Sequence, residues 1–348
     1  MKKLFYVMVA ALLSSSILTG CSKNGKKANG VVNLFTWQQY VPDDNVEAFE
    51  KATGIKVNYT YFSTNEEMLA KLEAVKGGQY DVVICGDYII DIMREKGNLL
   101  KKLDPSKIPN YDSIDPVFQN KFFDPNNDYT VPYAVMFPAI LYNPKETSLK
   151  FESLADLADS SLENSVAITD DPRANIGIAL SLNGYSYNEK DPAHLEQAQK
   201  WLNEFRKNVK AFSTDDPEGF VVTGEASVCY ANASQCISGV LQEPELGLQI
   251  AYPPEIFSQQ DNYIIPANAP NEDNAYALIS FLLSEESVRN MEINTHYQNC
   301  SKYATTALTA EELESVAIAP EGLLDRVESI ENVGKANEIY DRIWTEFK

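Results

Sequence analysis

The region from residue 31 to residue 97 alternates regularly between strand patterns and helix patterns. The strand patterns are apolar or alternating runs over residues 31–35, 55–62 and 80–85. Each is followed by a segment with helical spacing of its apolar residues, over residues 45–52, 63–75 and 89–96. The sequence therefore predicts an α/β fold in which a parallel sheet is covered by helices on both faces.

Residues that start and stop helices mark the boundaries of these segments. Ser63 and Glu66 have the spacing of a capping box, in which two side chains bond to each other's backbone N–H groups. Gly54 and Gly97 follow the first and third helical patterns, and glycine commonly ends helices. We therefore expect the second helix to begin at Ser63 and the other two to end at these glycines.

The first twenty-one residues have the order of a bacterial lipoprotein signal. Two lysines precede an apolar run over residues 4–13, and small residues lead directly to Cys21. The run is shorter than the roughly 20 residues of a membrane-spanning helix. We expect residues 1–20 to be a signal peptide, Cys21 to carry a lipid anchor and residues 21–30 to be a flexible tether. The folded body would then lie in the periplasm or elsewhere outside the cytoplasmic membrane, and the sequence leaves open which membrane holds the lipid.

The composition describes an acidic globular chain. Of its 348 residues, 44% are hydrophobic and 23% are charged, and the formal net charge is -21. A charge of this sign repels polyanions, so we expect no nucleic-acid partner, whereas a cationic ligand is favoured. The alternative is that the acidity serves solubility alone. The length after the leader is sufficient for two domains.

Signals for catalysis, cofactors and metals are weak. Gly77-Gly78 precedes a strand rather than a helix, so no phosphate-binding loop is present. His296 and Cys300 are the one pair at a spacing suited to a base and a nucleophile, or to half a metal site. We predict no enzyme activity, no cofactor and no metal site. Disulfide pairing stays open for four cysteines without a CxxC motif, namely Cys85, Cys229, Cys236 and Cys300.

Aromatic and acidic side chains follow two of the predicted strands. Trp37 and Tyr40 come after the first strand, and Asp87 and Tyr88 come after the third. In sheets of this kind, the loops at the carboxyl ends of the strands line the ligand crevice. Aromatic faces beside a carboxylate favour an organic cation, because the ring quadrupole attracts ammonium groups. The alternative is that these rings simply fill the edge of the sheet.

Several separated segments resemble the spermidine/putrescine-binding proteins of bacterial ABC importers. In chain order they are Leu-Phe-Thr-Trp-Gln-Gln-Tyr-Val-Pro at residues 34–42, and residues 80–91, 123–133 and 265–269. The resemblance runs from about residue 31 to the C-terminus. It implies a two-lobed periplasmic-binding-protein fold of type II, with a mainly parallel sheet flanked by helices in each lobe and crossover strands at the hinge. The implied lobes are residues 31–138 plus about 264–308, and residues 139–263 plus about 309–348.

The resemblance also implies which residues bind ligand. Aromatic side chains enclose the methylene chain, and the matching positions are Trp37, Tyr40, Tyr88 and Tyr297. Carboxylates bind the ammonium groups, and the matching positions are Asp171 and Asp261. Asp87 stands where the family usually has a small hydroxyl residue, and it can add charge from the opposite wall. Further contacts are implied at Gln38, Tyr230, Phe257 and Glu331.

The chain departs from the family pattern at several of these places. Ala174 stands where the family often has Glu, so one carboxylate is missing. Tyr230 and Phe257 are the nearest aromatic residues to two expected tryptophans. Asp171 has an alternative role of its own, because Asp followed by Pro is also an ordinary helix start.

The function implied is that of an extracytoplasmic receptor that binds putrescine or spermidine between its lobes. Its partners would be the permease and ATPase subunits of an ABC importer, and it would be a monomer held to a membrane through Cys21. The alternatives are a receptor for another small cation or for an amino acid, with Arg173 as the one obvious carboxylate partner, and a surface lipoprotein without a transport role. The sequence leaves the preferred polyamine open.

Overall fold

The computed structural model describes residues 30–348. The predicted signal peptide, the lipidation site Cys21 and the tether up to residue 29 lie outside the described residues. Within the described range, no helix has the length and apolar character needed to cross a membrane.

Strands and helices alternate along the described chain. The strands are β1 (Val31–Thr36), β2 (Lys56–Tyr61), β3 (Val82–Gly86), β4 (Thr130–Met136), β5 (Pro138–Tyr142), β6 (Val166–Ile168), β7 (Val209–Phe212), β8 (Val228–Asn232), β9 (Gln249–Ala251), β10 (Phe257–Ile264), β11 (Gln298–Asn299) and β12 (Glu328–Ser329). The helices are α1 (Asp43–Thr53), α2 (Asn65–Ala74), α3 (Asp87–Lys96), α4 (Pro172–Leu182), α5 (Pro192–Phe205), α6 (Gly219–Val222), α7 (Ala233–Gln242), α8 (Glu272–Leu282), α9 (Glu285–Thr295), α10 (Tyr303–Thr306), α11 (Ala310–Leu313) and α12 (Asn337–Phe347). The predicted α/β class is confirmed.

The first sheet has seven strands. Its main order is β11-β4-β10-β3-β1-β2, and β12 pairs with β10. β1 is parallel to β2 and β3. Leu34 packs into an apolar cluster with α1 and α8, whereas its neighbour Phe35 packs into another with α2 and α3. Because successive strand residues point to opposite faces, helices cover both faces of this sheet, as predicted.

The second sheet has five strands in the order β7-β6-β8-β5-β9. β6 is parallel to β7 and β8, and β5 is antiparallel to β8 and β9. Its apolar cluster takes in residues of α4, α5 and the last helix, α12. Both sheets are therefore mixed, because antiparallel strands are inserted among the parallel strands that the repeat predicts.

The chain passes between the sheets twice in this region. β4 of the first sheet leads through Phe137 directly to β5 of the second, and the return lies between β9 and β10. Residues 259–263, which the resemblance assigned to the second lobe, pair with β4, and residues 261–263 also pair with β3. The resemblance implies a return between the lobes near residue 264, but the pairing of β10 with β4 already begins at Gln259, opposite Met136. The other lobe boundaries stay a prediction.

The caps of the first three helices agree with the sequence at two ends and differ at one. Gly54 and Gly97 end α1 and α3 in the left-handed conformation, with φ of 74° and 73°. The prediction that Ser63 caps α2 is wrong by one residue, because Thr64 is the N-cap and accepts from the N–H of Glu67 at 3.1 Å. Ser63 and Thr64 both carry a hydroxyl group, so the sequence pattern allows either residue to be the cap. With Thr64 as the cap, the Glu66 carboxylate takes no part in the capping and accepts a hydrogen bond from the Tyr88 hydroxyl.

A buried aspartate fixes the start of β4, the strand that leads to the first crossing. The Asp124 carboxylate accepts the backbone N–H groups of Asp128, Tyr129 and Thr130 at 2.9, 2.8 and 2.9 Å. We predict that Asp124→Ala lowers the free energy of unfolding by about 3 kcal/mol, because buried donors lose a charged acceptor. Urea denaturation measures this change. The exposed Asp112→Ala is the control and should change stability by less than about 0.5 kcal/mol; equal losses in the two variants would contradict the prediction.

Candidate functional site

A cavity of about 700 Å³ lies between the two sheets. Its walls include the loops after β1 and β3 of the first sheet and the loop after β7 of the second. Seven of the residues predicted from the sequence line this cavity: Trp37, Gln38, Tyr40, Asp87, Tyr88, Asp261 and Tyr297. The fold thus brings together side chains from four distant segments of the chain.

Two smaller cavities adjoin the first, and Gln259 lines all three. One, of about 70 Å³, is lined by Asp171, Tyr230 and Phe257. The other, of about 430 Å³, is lined by Asp171 and Glu331. All the predicted site residues therefore lie along one cleft between the sheets, which we call the interlobe cleft. Whether they bind ligand stays a prediction.

Tyr40 is the centre of an aromatic wall. Its ring meets Trp37 at 5.4 Å between centroids with an interplanar angle of 82°, and meets Tyr297 at 5.9 Å and 79°. On the core side it meets Tyr133 at 5.1 Å and 88°. These edge-to-face contacts are favourable geometries for aromatic pairs. They fix the positions of three rings that line the cavity, Trp37, Tyr40 and Tyr297.

Asp261 lies in β10 and is held by this aromatic wall. The Tyr40 hydroxyl donates to Asp261 Oδ2 at 2.5 Å. Burial raises the pKa of Asp261 from an ordinary value of 3.8 to about 7, and the bond from Tyr40 lowers it in part. The carboxyl group therefore keeps its proton to a higher pH than an exposed aspartate does.

Asp87 supplies a second carboxyl group next to that of Asp261, and it follows β3, the strand that pairs with β10. It is the first residue of α3, directly after Gly86, which is paired with Asp261 in the register of β3 and β10. Its oxygens accept the N–H groups of Tyr88 at 2.8 Å and Gln260 at 3.1 Å. Burial raises the pKa of Asp87 to about 8, against the effect of these bonds and with a further contribution from Asp261. Two adjacent buried carboxyl groups without a cation therefore retain protons.

Asp171 both caps a helix and faces the cleft. Its Oδ1 accepts the N–H groups of Arg173 at 2.7 Å and Ala174 at 3.0 Å, so the helix-cap role is confirmed for α4. The same residue lines two of the cavities. Nearby, the Tyr230 hydroxyl is buried and has no hydrogen-bond partner among the described residues. This end of the cleft therefore has a carboxylate whose position is fixed by the start of α4.

Arg173 is occupied by the protein itself. Its guanidinium donates to the carbonyl of Glu331 at 2.8 Å, to the carbonyl of Tyr187 at 3.2 Å and to Asn188 Oδ1 at 2.8 Å. It also lies 4.9 Å from the centroid of the Tyr340 ring. An arginine held by these four partners is poorly placed to bind the carboxylate of an amino acid.

The Cys300 and His296 pair does not form an activated thiol. Cys300 is fully buried, and burial raises the pKa of its thiol well above the ordinary value. His296 Nδ1 bonds to the carbonyl of Ser315 at 2.7 Å. The four described cysteines are buried free thiols. In the same range of residues, no three His, Cys, Asp or Glu side chains are grouped to hold a metal ion.

Sequence reasoning missed several residues that line the main cavity. Thr214 and Asp215 follow β7 and are the contribution of the second sheet, and Asn65 and Asn294 come from the first lobe. The loop after β7 obeys the same strand-end rule that found Trp37. It was missed because a strand of four residues gives little periodic signal.

Residues 45–315 match the family of bacterial extracellular solute-binding proteins. The spermidine/putrescine-binding periplasmic protein of Salmonella typhimurium is 34% identical over 342 residues, which cover 97% of each chain. The chain belongs to this solute-binding family. The resemblance to spermidine/putrescine-binding proteins is thus confirmed, and the class is one of receptors rather than enzymes. A putrescine/cadaverine-binding protein of Pseudomonas aeruginosa is 26% identical over 98% of this chain and 99% of its own.

Solved structures share the fold of this solute-binding protein. The spermidine/putrescine ABC transporter substrate-binding protein PotD of Streptococcus pneumoniae superposes with a TM-score of 0.83 at 29% identity, over 91% of this chain and 98% of that one. The Tp0655 (TpPotD) lipoprotein of Treponema pallidum superposes with a TM-score of 0.81 at 26% identity, over 91% and 99%. The predicted two-lobed periplasmic-binding-protein fold is therefore confirmed.

The raised pKa values predict how the stability of the ligand-free protein depends on pH. Asp87 and Asp261 have pKa values of about 8 and about 7 in the fold and about 3.9 when unfolded. Between these limits the folded chain holds protons that the unfolded chain releases, so both groups reduce stability as the pH rises. Their contribution should fall from about pH 4 and level off above about pH 8.

The Asp261→Asn variant isolates the contribution of Asp261 to this pH dependence of stability. Asn keeps an acceptor for Tyr40 but does not titrate, so urea denaturation from pH 5 to pH 8.5 should show a smaller loss of stability than in the wild type. Asp215→Asn is the matched control, since Asp215 lines the same cavity but is exposed. A wild-type slope that Asp261→Asn leaves unchanged would contradict the assignment.

Proposed function

We propose that this protein binds a polyamine, putrescine or spermidine, in the interlobe cleft and delivers it to an ABC importer. The observation that carries the proposal is the pair of buried carboxyl groups of Asp87 and Asp261 against an aromatic wall. Burying two carboxylates without a counter-ion is costly, and a bound ammonium group removes that cost. The ring faces of Trp37 and Tyr40 complement the same ammonium group and the methylene chain beside it.

The two ends of the cleft would take the two ends of the ligand. Asp87 and Asp261 would bind one terminal ammonium group, and Asp171 from the second lobe would bind the other. Tyr88, Tyr297 and Phe257 would cover the methylene chain between them. A ligand that bridges the lobes in this way stabilises the closed arrangement by contacts that the open one lacks. That difference is what a permease needs in order to distinguish loaded receptors from empty ones.

The relatives support this ligand class and its setting. The Salmonella and Streptococcus proteins are named for spermidine and putrescine, and the Streptococcus protein is the substrate-binding component of an ABC transporter. The Treponema relative is a lipoprotein, which supports lipid attachment at Cys21. We therefore propose a membrane-anchored monomeric receptor outside the cytoplasmic membrane, with ABC permease and ATPase subunits as its partners.

Calorimetric titration with putrescine, spermidine and spermine tests the proposal directly. We expect saturable binding of at least one amine, with a stoichiometry of one for the tightest binding step. Asp261→Asn and Asp171→Asn should each weaken it by about 2 kcal/mol or more, because each removes a charged partner of a buried ammonium group. Asp112→Asn is the control for the change in net charge, because Asp112 is exposed and does not line the interlobe cleft.

Arginine serves as the control ligand, since it carries a carboxylate that the cleft is not arranged to accept. Binding of arginine with an affinity equal to that of the amines would contradict the assignment. So would the absence of heat with any amine from folded protein that has been freed of bound ligand.

Binding should also release protons near neutral pH. An ammonium group beside Asp87 and Asp261 favours their charged forms, so their pKa values fall on binding and protons leave. The apparent affinity should therefore rise with pH up to about 8, below the pKa near 10.4 of an alkylamine. Titrations at pH 7 in two buffers with different ionisation enthalpies measure the number of protons released. Proton uptake, or equal heats in both buffers, would be inconsistent with this mechanism.

A further inference from the structure

A separate cavity of about 440 Å³ lies next to the interlobe cleft and shares Gln38, Gln39 and Asn294 with it. Its other walls come from the start of α1 and from β2, the strand at the edge of the first sheet. We call it the side cavity and define it by Asp43, Tyr59, Tyr61 and Asn294. None of the ligand contacts predicted from the sequence, apart from Gln38, belongs to it.

Two tyrosines form an aromatic surface in the side cavity. Tyr59 and Tyr61 are two residues apart on β2, so they share a face of the strand. Their rings are stacked with centroids 5.5 Å apart and planes at 20°. Tyr61 is 45% exposed and is one of two large hydrophobic side chains exposed in the described part of the chain. An exposed ring beside a cavity offers its face to a ligand.

The hydroxyl of Tyr59 lacks a partner inside the protein. Its oxygen is shielded from solvent and makes no hydrogen bond among the described residues. Burial and the nearby Asp43 carboxylate raise the pKa of Tyr59, so the phenol stays protonated. The Asp43 carboxylate is therefore close to the Tyr59 side chain, at the edge of the same cavity.

The charge of the side cavity has one sign. Asp43 is the single charged residue among those described that line it, and the remaining polar lining consists of amides and phenols. The interlobe cleft differs, because its outer part includes Arg173. Carboxylate, phenol oxygen, amide oxygens and two ring faces are the groups that an alkylammonium ion binds.

We propose that the side cavity is a second binding site for an alkylammonium group, separate from the interlobe cleft. The ammonium group lies against the faces of Tyr59 and Tyr61, with Asp43 as its counter-ion. This inference rests on the proposed function, since the side cavity would hold a second polyamine molecule at the border of the interlobe cleft. It binds more weakly, since Asp43 and Tyr61 are exposed to water.

NMR titration with putrescine beyond one equivalent tests this proposal. The first equivalent is followed at the backbone amide of Asp87, and the second at the amides of Tyr59 and Tyr61, which line the side cavity alone. We expect a second, weaker saturation in the wild type. Asp43→Asn and Tyr61→Ala should each raise the Kd of that second phase by about 3- to 5-fold and leave the first phase unchanged.

Two matched variants separate a site from general effects of charge and fold. Asp44→Asn removes the neighbouring exposed carboxylate in the same turn of α1, but Asp44 does not line the side cavity. Tyr61→Phe retains the aromatic face. Both should keep the wild-type Kd of the second phase.

The outcomes distinguish this inference from the proposed function. A missing first phase with a normal second phase overturns the polyamine cleft and supports the side cavity. A normal first phase without a second, or with a second that Asp44→Asn weakens as much as Asp43→Asn, overturns the side cavity. The absence of both phases overturns both.

Discussion

The site depends on one pairing, the antiparallel insertion of β10 between β3 and β4. This strand returns from the second sheet and pairs along both neighbours. The register puts Asp261 opposite Gly86, so that its carboxyl group lies beside Asp87 at the beginning of α3. A bulge follows between Asp261 and Asn262 on the β4 side. A slip of one residue would turn Asp261 to the opposite face, because side chains alternate along a strand.

The cost of this arrangement in the ligand-free protein is electrostatic. Burial raises the pKa of Asp261 from 3.8 to about 7, although the hydroxyl of Tyr40 favours the charged form. The net shift corresponds to roughly 4 kcal/mol against the charged form. The backbone N–H groups of Tyr88 and Gln260 likewise favour the charged form of Asp87. These bonds fix the geometry of the carboxyl groups without neutralising them. At one end of the cleft, the fold therefore holds two buried carboxyl groups whose charged forms a bound cation would stabilise.

The predictability of this structure follows from the range of the interactions involved. The strand–helix repeat of residues 31–97 rests on local periodicity, and Trp37, Tyr40, Asp87 and Tyr88 could be placed at the strand ends from it. The burial of Asp261 has no local signal, since it arises from pairing with strands more than a hundred residues away. Only the resemblance to a known family suggested it.

Three further features were predicted incorrectly or missed, because a residue pattern alone does not determine them. The resemblance placed the return crossing near residue 264, whereas the pairing of β10 with β4 already begins at Gln259, opposite Met136. The cap of α2 depended on which of two adjacent hydroxyl residues adopts the extended backbone, and both satisfy the same pattern. The role of Thr214 and Asp215 required the second sheet to be in place, because only its packing brings that loop to the cleft.

The cleft discriminates more strongly between classes of ligand than between lengths of one class. An inorganic cation such as Ca²⁺ prefers six to eight oxygen ligands, whereas the cleft presents carboxyl groups beside the faces of Trp37 and Tyr40. An amino acid needs a free cation for its carboxylate, and Arg173 is already held by three hydrogen-bond acceptors and the Tyr340 ring. Chain length, in contrast, changes the contact by about 1 to 3 kcal/mol for each methylene. The charges of the proposed site therefore favour an organic cation, and the smaller cavities beside Asp171 are where ligands of different length would be distinguished.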